Sequence, residues 1–144
     1  MSDNKYDCLK LKGQLCFPLY AAARETIKLY KPHLDKLNLT YTQYIAMMLL
    51  WEKSPRNVKE LGDELYLDSG TLTPMLKKLE AKGYIVRTRS QEDERNLNVS
   101  LTEKGEALKE EAVVVPHEMA KCVNLSMEEC LELYNGLYKL LGKQ

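Results

Sequence analysis

A mainly α-helical domain carrying one small β-hairpin is the fold class this sequence predicts, and two adjoining stretches predict it. In residues 66–83 (YLDSGTLTPMLKKLEAKG), Leu72, Met75, Leu76 and Leu79 recur at helical spacing behind Asp68, a residue suited to cap a helix, and Gly83 closes the element. Residues 84–89 and 96–101 then alternate in character on either side of the polar loop 90–95, as the two strands of a hairpin do. Another helix stands directly upstream, with Asn57 and Glu60 as a capping pair, Val58, Leu61 and Leu65 as its apolar side, and only residues 66–68 before the next helix. Two short helices so tightly joined and followed by a hairpin make a winged helix-turn-helix, an α+β arrangement dominated by helix.

A winged helix reads DNA by placing the start of its second helix against base edges and that helix's flanks against phosphates. Ser69, Thr71 and Thr73 are the expected base-side residues. Lys77, Lys78 and Lys82 along the helix, with Arg87 on the first strand, are the expected basic flank. The hairpin tip carries Asp93 and Arg95, a carboxylate placed to orient a guanidinium that enters the minor groove. Pro74 is the misfit: it lacks an N–H and its ring presses on the carbonyl of Gly70, which predicts a bent or late-starting helix.

Taken in order, residues 9–30 are helical in pattern, with Leu15, Leu19, Ala22 and Thr26 along one stripe and Phe17, Ala21 and Ala23 nearby. Pro18 predicts a kink or a fresh start after Phe17, leaving Cys16 at an irregular place. Lys31-Pro32 should end the element, and a short helical piece over 33–37 should follow. Thr40 and Gln43 form a capping box for a helix over 41–51 (YTQYIAMMLLW), which is apolar nearly all round and so belongs in the core. Beyond the hairpin, Thr102 caps a helix from Glu103 with Ala107, Leu108, Ala112 and Val115 on its apolar side, which Pro116 kinks or breaks. Ser126 and Glu129 box the start of a last helix whose Cys130, Leu133, Tyr134, Leu137, Leu140 and Leu141 make a wide apolar face.

A chain of 144 residues is one domain, 1–144. A winged helix over 41–101 needs neither the helix within 9–31 nor those within 103–144, and their apolar faces suit a two-fold dimer interface, a symmetry that palindromic operators share. Lys plus Arg equals Asp plus Glu at 21 each, but the charge is segregated. Residues 69–91 hold five basic side chains against Glu80 alone (5 − 1 = +4), whereas 102–144 hold five lysines against eight glutamates (5 − 8 = −3). With no apolar run of about 18 residues and no signal-peptide pattern, the expectation is a soluble, cytoplasmic protein without a membrane partner. Cys8, Cys16, Cys122 and Cys130 form no C-x-x-C and are joined by only two histidines, which argues against structural zinc. In the cytosol they default to reduced, small, buried hydrophobes.

The layout resembles the MarR family of dimeric regulators, and Glu92-Asp93-Glu94-Arg95 carries that family's D-x-R wing signature. Three stretches are more closely similar to the organic hydroperoxide repressors of that family: Gln14-Leu15-Cys16-Phe17 with Leu19-Tyr20, the segment from Tyr30-Lys31-Pro32 to Leu39-Thr40-Tyr41, and 67–79 with its Pro74. The similarity covers roughly residues 10–105. It implies that Cys16 is a peroxide sensor and that Tyr30 and Tyr41, with Tyr20 close by, hydrogen-bond its sulfur. Such chemistry is sound, because a thiolate attacks a peroxide O–O bond, phenol O–H donors stabilise that thiolate, and the resulting sulfenic acid is trapped by a second thiol. Cys122, Cys130 or a low-molecular-weight thiol would be the trap. The implied protein is a homodimeric repressor that leaves a palindromic operator in double-stranded DNA when organic hydroperoxide oxidises Cys16; no cofactor is implied. Two other functions fit the same residues: a regulator of this type that answers a different oxidant or a small aromatic ligand, and a thiol peroxidase, which would turn over rather than react once.

Overall fold

The computed structural model describes residues 4–89 and 96–142. Two 3-10 turns, Asp7–Leu9 and Leu11–Gly13, lead into α1 (Cys16–Asp35), followed by α2 (Tyr41–Glu52), β1 (Arg56–Asn57), α3 (Val58–Leu65), α4 (Ser69–Ala81), β2 (Ile85–Arg89), β3 (Leu97–Leu101), α5 (Glu103–Ala112), α6 (Val114–Ala120) and α7 (Met127–Leu140). This is the mainly helical, winged architecture that the sequence predicts.

Side-chain caps set where α2, α3, α4, α5 and α7 start, because the first N–H groups of a helix have no partner within it. Thr40 Oγ1 accepts the Gln43 N–H at 3.3 Å while Gln43 Oε1 accepts the Thr40 N–H at 3.0 Å, the expected capping box. Asp68 Oδ1 accepts the Thr71 N–H at 2.8 Å, Thr102 Oγ1 the Gly105 N–H at 3.0 Å, and Ser126 and Glu129 make a second box at 3.1 Å each way. Asn57 caps α3 through the Lys59 N–H at 2.8 Å.

The prolines act differently from the simple expectation, and position explains why. Pro18 is the third residue of α1, and Pro116 the third of α6. A first-turn N–H has no helical acceptor, so losing it costs nothing there. Pro18 therefore sits in the opening turn of a helix that begins at Cys16, without the kink expected after Phe17. Pro116 accompanies the expected break between α5 and α6. Pro32 and Pro74 lie inside α1 and α4, yet neither ends its helix. The carbonyls they leave unpaired, those of Lys28 and Gly70, belong to exposed residues that water can serve. Leu34, 2% exposed, anchors the last turn of α1, so the separate piece expected over 33–37 is absorbed into that helix. Upstream, residues 9–14 are 3-10 turns rather than α-helix, and the Gln14 amide donates back to the carbonyls of Cys8 and Lys10 at 2.6 and 3.2 Å.

The hairpin is part of a three-stranded antiparallel sheet in the order β1-β3-β2, with Arg56 opposite Val99 and Ile85 opposite Leu101. Strand β1 is two residues long and shows no alternation that the sequence could reveal. The core gathers round α2, whose Tyr44, Ala46, Met47 and Leu50 are buried with Leu61 of α3, Leu72, Leu76 and Leu79 of α4, Ile85, Val99 and Val115. Trp51 at the end of α2 donates its indole N–H to the Gly105 carbonyl of α5 at 3.0 Å. By contrast α7 buries none of its residues, and Leu131, Leu133, Tyr134 and Leu140 stand exposed, as do Leu11, Leu15, Phe17 and Tyr20 at the other end of the sequence.

A β-carbon at Gly105 would run into the Tyr84 carbonyl and lie 3.3 Å from Leu101 Cδ2. Overpacking of this kind costs about 1–3 kcal/mol, which outweighs the ~1 kcal/mol that alanine otherwise brings to a helix interior. Gly105→Ala should lower stability in urea unfolding; an unchanged or raised midpoint would show that the close approach gives way.

Candidate nucleic-acid interface and thiol site

Helices α3 and α4 meet through Tyr66, whose left-handed backbone (φ 56°) reverses the chain while the Leu67 N–H closes onto the Gly62 carbonyl at 2.9 Å. Burial of Leu72, Met75, Leu76 and Leu79 turns the opposite side of α4 outward. Ser69, Thr71, Lys77 and Lys78 are exposed and Thr73 is half-buried, so the expected base-side and phosphate-side groups share one solvent-facing helix. Asp93 and Arg95 at the hairpin tip lie outside the described residues.

Two basic residues are engaged elsewhere. Lys82 donates to the Asn38 carbonyl at 2.6 Å and to Gln43 Oε1 at 2.8 Å, and burial, with the neighbouring Lys78 charge, holds its pKa below the ordinary value. Its ammonium thus serves the α1–α2 corner rather than the flank of α4. The Arg87 guanidinium, expected on the DNA-facing surface, clasps Glu80 at 3.1 Å from Nη2, and its backbone N–H donates to the same carboxylate at 2.9 Å. That pair binds the wing to α4, because a carboxylate one helical turn from the strand can accept from both main chain and side chain.

Cys16 is the first residue of α1 and is exposed, so its thiol is open to reagents from solvent. One turn on, Tyr20 Oη accepts from Arg24 at 3.1 Å, and the guanidinium lies 5.4 Å from the Tyr20 ring. Arg24 escaped the sequence reading, although the spacing 16, 20, 24 puts all three side chains on one face. The Tyr30 and Tyr41 rings meet at 4.9 Å, and Tyr44 joins them at 5.9 and 6.4 Å. Tyr44 also escaped that reading, though it stands one turn after Tyr41. Burial pushes all three phenols above their ordinary 10.0, so each is a neutral O–H donor at physiological pH.

A single chain does not bring the thiol to these tyrosines. Fourteen helical residues separate Cys16 from Tyr30, a rise of about 21 Å. All four cysteines are free thiols, and Cys8, Cys16 and Cys122 are exposed rather than buried hydrophobes. Cys122 follows α6, with Sγ 3.7 Å from the Glu118 carbonyl, and the half-buried Cys130 is on α7. A cleft of about 560 Å³ between the end of α1 and α5–α6 is lined by His33, Lys36, Leu37, Glu111, Val114 and Glu118. Among the described residues no helix is long and apolar enough to cross a membrane.

The model of the transcriptional regulator SarA/Rot family matches residues 28–112. The chain is 55% identical over 139 residues to the organic hydroperoxide resistance transcriptional regulator of Bacillus subtilis, covering 96% of this chain and 95% of that protein. It is 44% identical over 133 residues to the regulator SarZ of Staphylococcus aureus, covering 92% and 90%. Among solved structures, reduced AbfR bound to DNA, a protein of Staphylococcus epidermidis, aligns with a TM-score of 0.80 at 34% identity over 96% of this chain and 97% of that one.

The Arg87 backbone N–H, then the guanidinium, hold the Glu80 carboxyl below its ordinary 4.5. A carboxyl lowered on folding adds stability that is fully present above the unfolded value and is lost as pH falls through the folded one. Glu80→Gln should therefore be less stable than the parent at pH 7, with the difference shrinking below about pH 4.5 as the parent's own carboxyl protonates. Thermal melts across that range check this; a difference that persists undiminished in acid would assign the loss to something other than the charge.

Proposed function

The chain belongs to the SarA/Rot family of MarR-like winged-helix transcriptional regulators, and we propose that it is a redox-sensing repressor that binds a palindromic operator as a homodimer and leaves it when an organic hydroperoxide oxidises Cys16. Members of this family regulate transcription rather than turn over substrate, which sets the thiol-peroxidase reading aside. The observation that carries the proposal is the exposed Cys16 thiol in the opening turn of α1. The name of the 55% identical Bacillus relative supports an organic hydroperoxide as the oxidant class.

The chemistry is a displacement. The Cys16 thiolate attacks one peroxide oxygen, the O–O bond breaks, the alcohol leaves with a proton, and the sulfur becomes a sulfenic acid. A low-molecular-weight thiol, Cys122 or Cys130 then condenses with it, forming S–S and releasing water. Because about 21 Å of helix separates Cys16 from Tyr30 within one protomer, the phenols that steady its sulfur come from a second copy. The uncovered apolar residues within 9–31 and 103–144 are the surfaces that would pair with that copy, leaving 41–101 as the lobe that meets DNA. Oxidation then displaces Tyr30 and Tyr41, turns α2, and moves the two α4 helices off the spacing of about 34 Å that successive major grooves require. Such a regulator works in the cytoplasm, where its DNA is.

On the DNA, Ser69, Thr71 and Thr73 read bases, Lys77 and Lys78 hold phosphates, and Asp93 sets Arg95 into the minor groove. Arg87 is reassigned: through Glu80 it positions the wing that carries them.

Two measurements test the proposal. In a gel shift against the upstream region of its own gene, cumene hydroperoxide should release the parent, while Cys16→Ser should bind as well and stay bound, since a serine hydroxyl forms no sulfenic acid. Release of the serine variant would sink the reading. Separately, Thr71→Ala should relax sequence preference, whereas Lys77→Ala should weaken cognate and scrambled DNA alike and reduce the salt slope by roughly one unit. Equal effects of the two changes on both DNAs would undo that division.

A further inference from the structure

The turn that ends α4 is tied to the start of α2 by bonds between residues 39 to 47 positions apart in sequence. Lys82, the C-cap of α4, holds its ammonium between the Asn38 carbonyl and Gln43 Oε1 at 2.6 and 2.8 Å. Two residues on, the Tyr84 phenol donates to the Leu37 carbonyl at 3.0 Å in a buried bond. From the other side, Lys104 donates to the Lys82 carbonyl at 2.8 Å and Thr102 to the Gly83 carbonyl at 2.6 Å.

Gln43 is the hub. It is 2% exposed, the one buried polar side chain among the described residues, and its Oε1 accepts both the Lys82 ammonium and the Thr40 N–H. Both lone pairs of one buried oxygen are thus used, one by the start of α2 and the other by the end of α4. Losing either bond leaves one lone pair of a buried oxygen without its partner. Tyr41, the first residue of α2, packs on Tyr30 at the same corner.

We propose that Lys82 is a positioning residue for DNA binding: by joining the oxygen that starts α2 to the end of α4, it makes the DNA-reading helix follow the Tyr30–Tyr41 corner. Displacement of those tyrosines then moves α4, and DNA that holds α4 steadies the tyrosines by the same amount. This inference rests on the redox reading above for what displaces the corner. It also explains why a lysine at the end of a basic helix is turned away from the basic face.

The test measures operator affinity of the full chain by fluorescence anisotropy, before and after cumene hydroperoxide and at several salt concentrations. Lys82→Met should keep the parent's salt slope and hold reduced affinity within about fivefold, while the loss of affinity on oxidation shrinks by about tenfold or more, within the ordinary range of coupling between sites. Lys82→Arg, whose fork reaches two acceptors, should restore the loss. A salt slope lower by about one unit would make Lys82 a phosphate contact instead. Equal weakening of both redox states would leave it a stabilising residue only, and a response equal to the parent's would remove it from the switch; each overturns the inference. A parent that ignores peroxide would sink the redox reading, and this inference with it. Should Lys82→Met fail to fold, Lys82→Gln, one bond shorter and uncharged, takes its place in the same measurements.

Discussion

The fold depends on enclosing most of one helix, α2, on which Met48 is the apolar residue left exposed. Helix α2 has apolar residues nearly all round, so no orientation could leave one face in water without exposing several of them. Helices α1, α3, α4 and α5 and strand β3 all pack against it. The helix-turn-helix is consequently a pair of walls of that enclosure. Its outward surfaces are the faces left over once Leu61, Leu72, Leu76 and Leu79 have been used inside.

Most of this enclosure was legible because its signals are local. Caps at Thr40, Asp68, Thr102 and Ser126 need only residues within one turn, and alternation in the two long strands needs only the strands themselves. Prolines were harder, because their cost depends on the turn they occupy and on whether the carbonyl they abandon faces water, and sequence reports neither. Strand β1 was hidden for a different reason: its partner, β3, lies some forty residues on and supplies all of its order.

The candidate site divides along the same line. Residue types were readable: a cysteine followed by tyrosines, hydroxyls at a helix start, lysines along its flank. Partners were not. Lys77 and Lys82 look alike in the chain, yet one is exposed and the other is drawn into the α1–α2 corner; Arg87 spends its guanidinium on Glu80. Arg24 meets Tyr20, and Tyr44 meets Tyr41, only once the helices that carry them are folded. The thiol and the tyrosines are most instructive, since the motif names residues that one protomer keeps about 21 Å apart along α1.

Trp51 is the only tryptophan in the chain, and its indole bridges α2 and α5 through the Gly105 carbonyl. Indole emission shifts in colour and intensity with the polarity and bonding around the ring. The fold has therefore placed a single native fluorophore at the seam between its central helix and the helix that leads away from the wing. Any sliding of those two helices is written into the protein's own light, with no dye attached and no residue replaced.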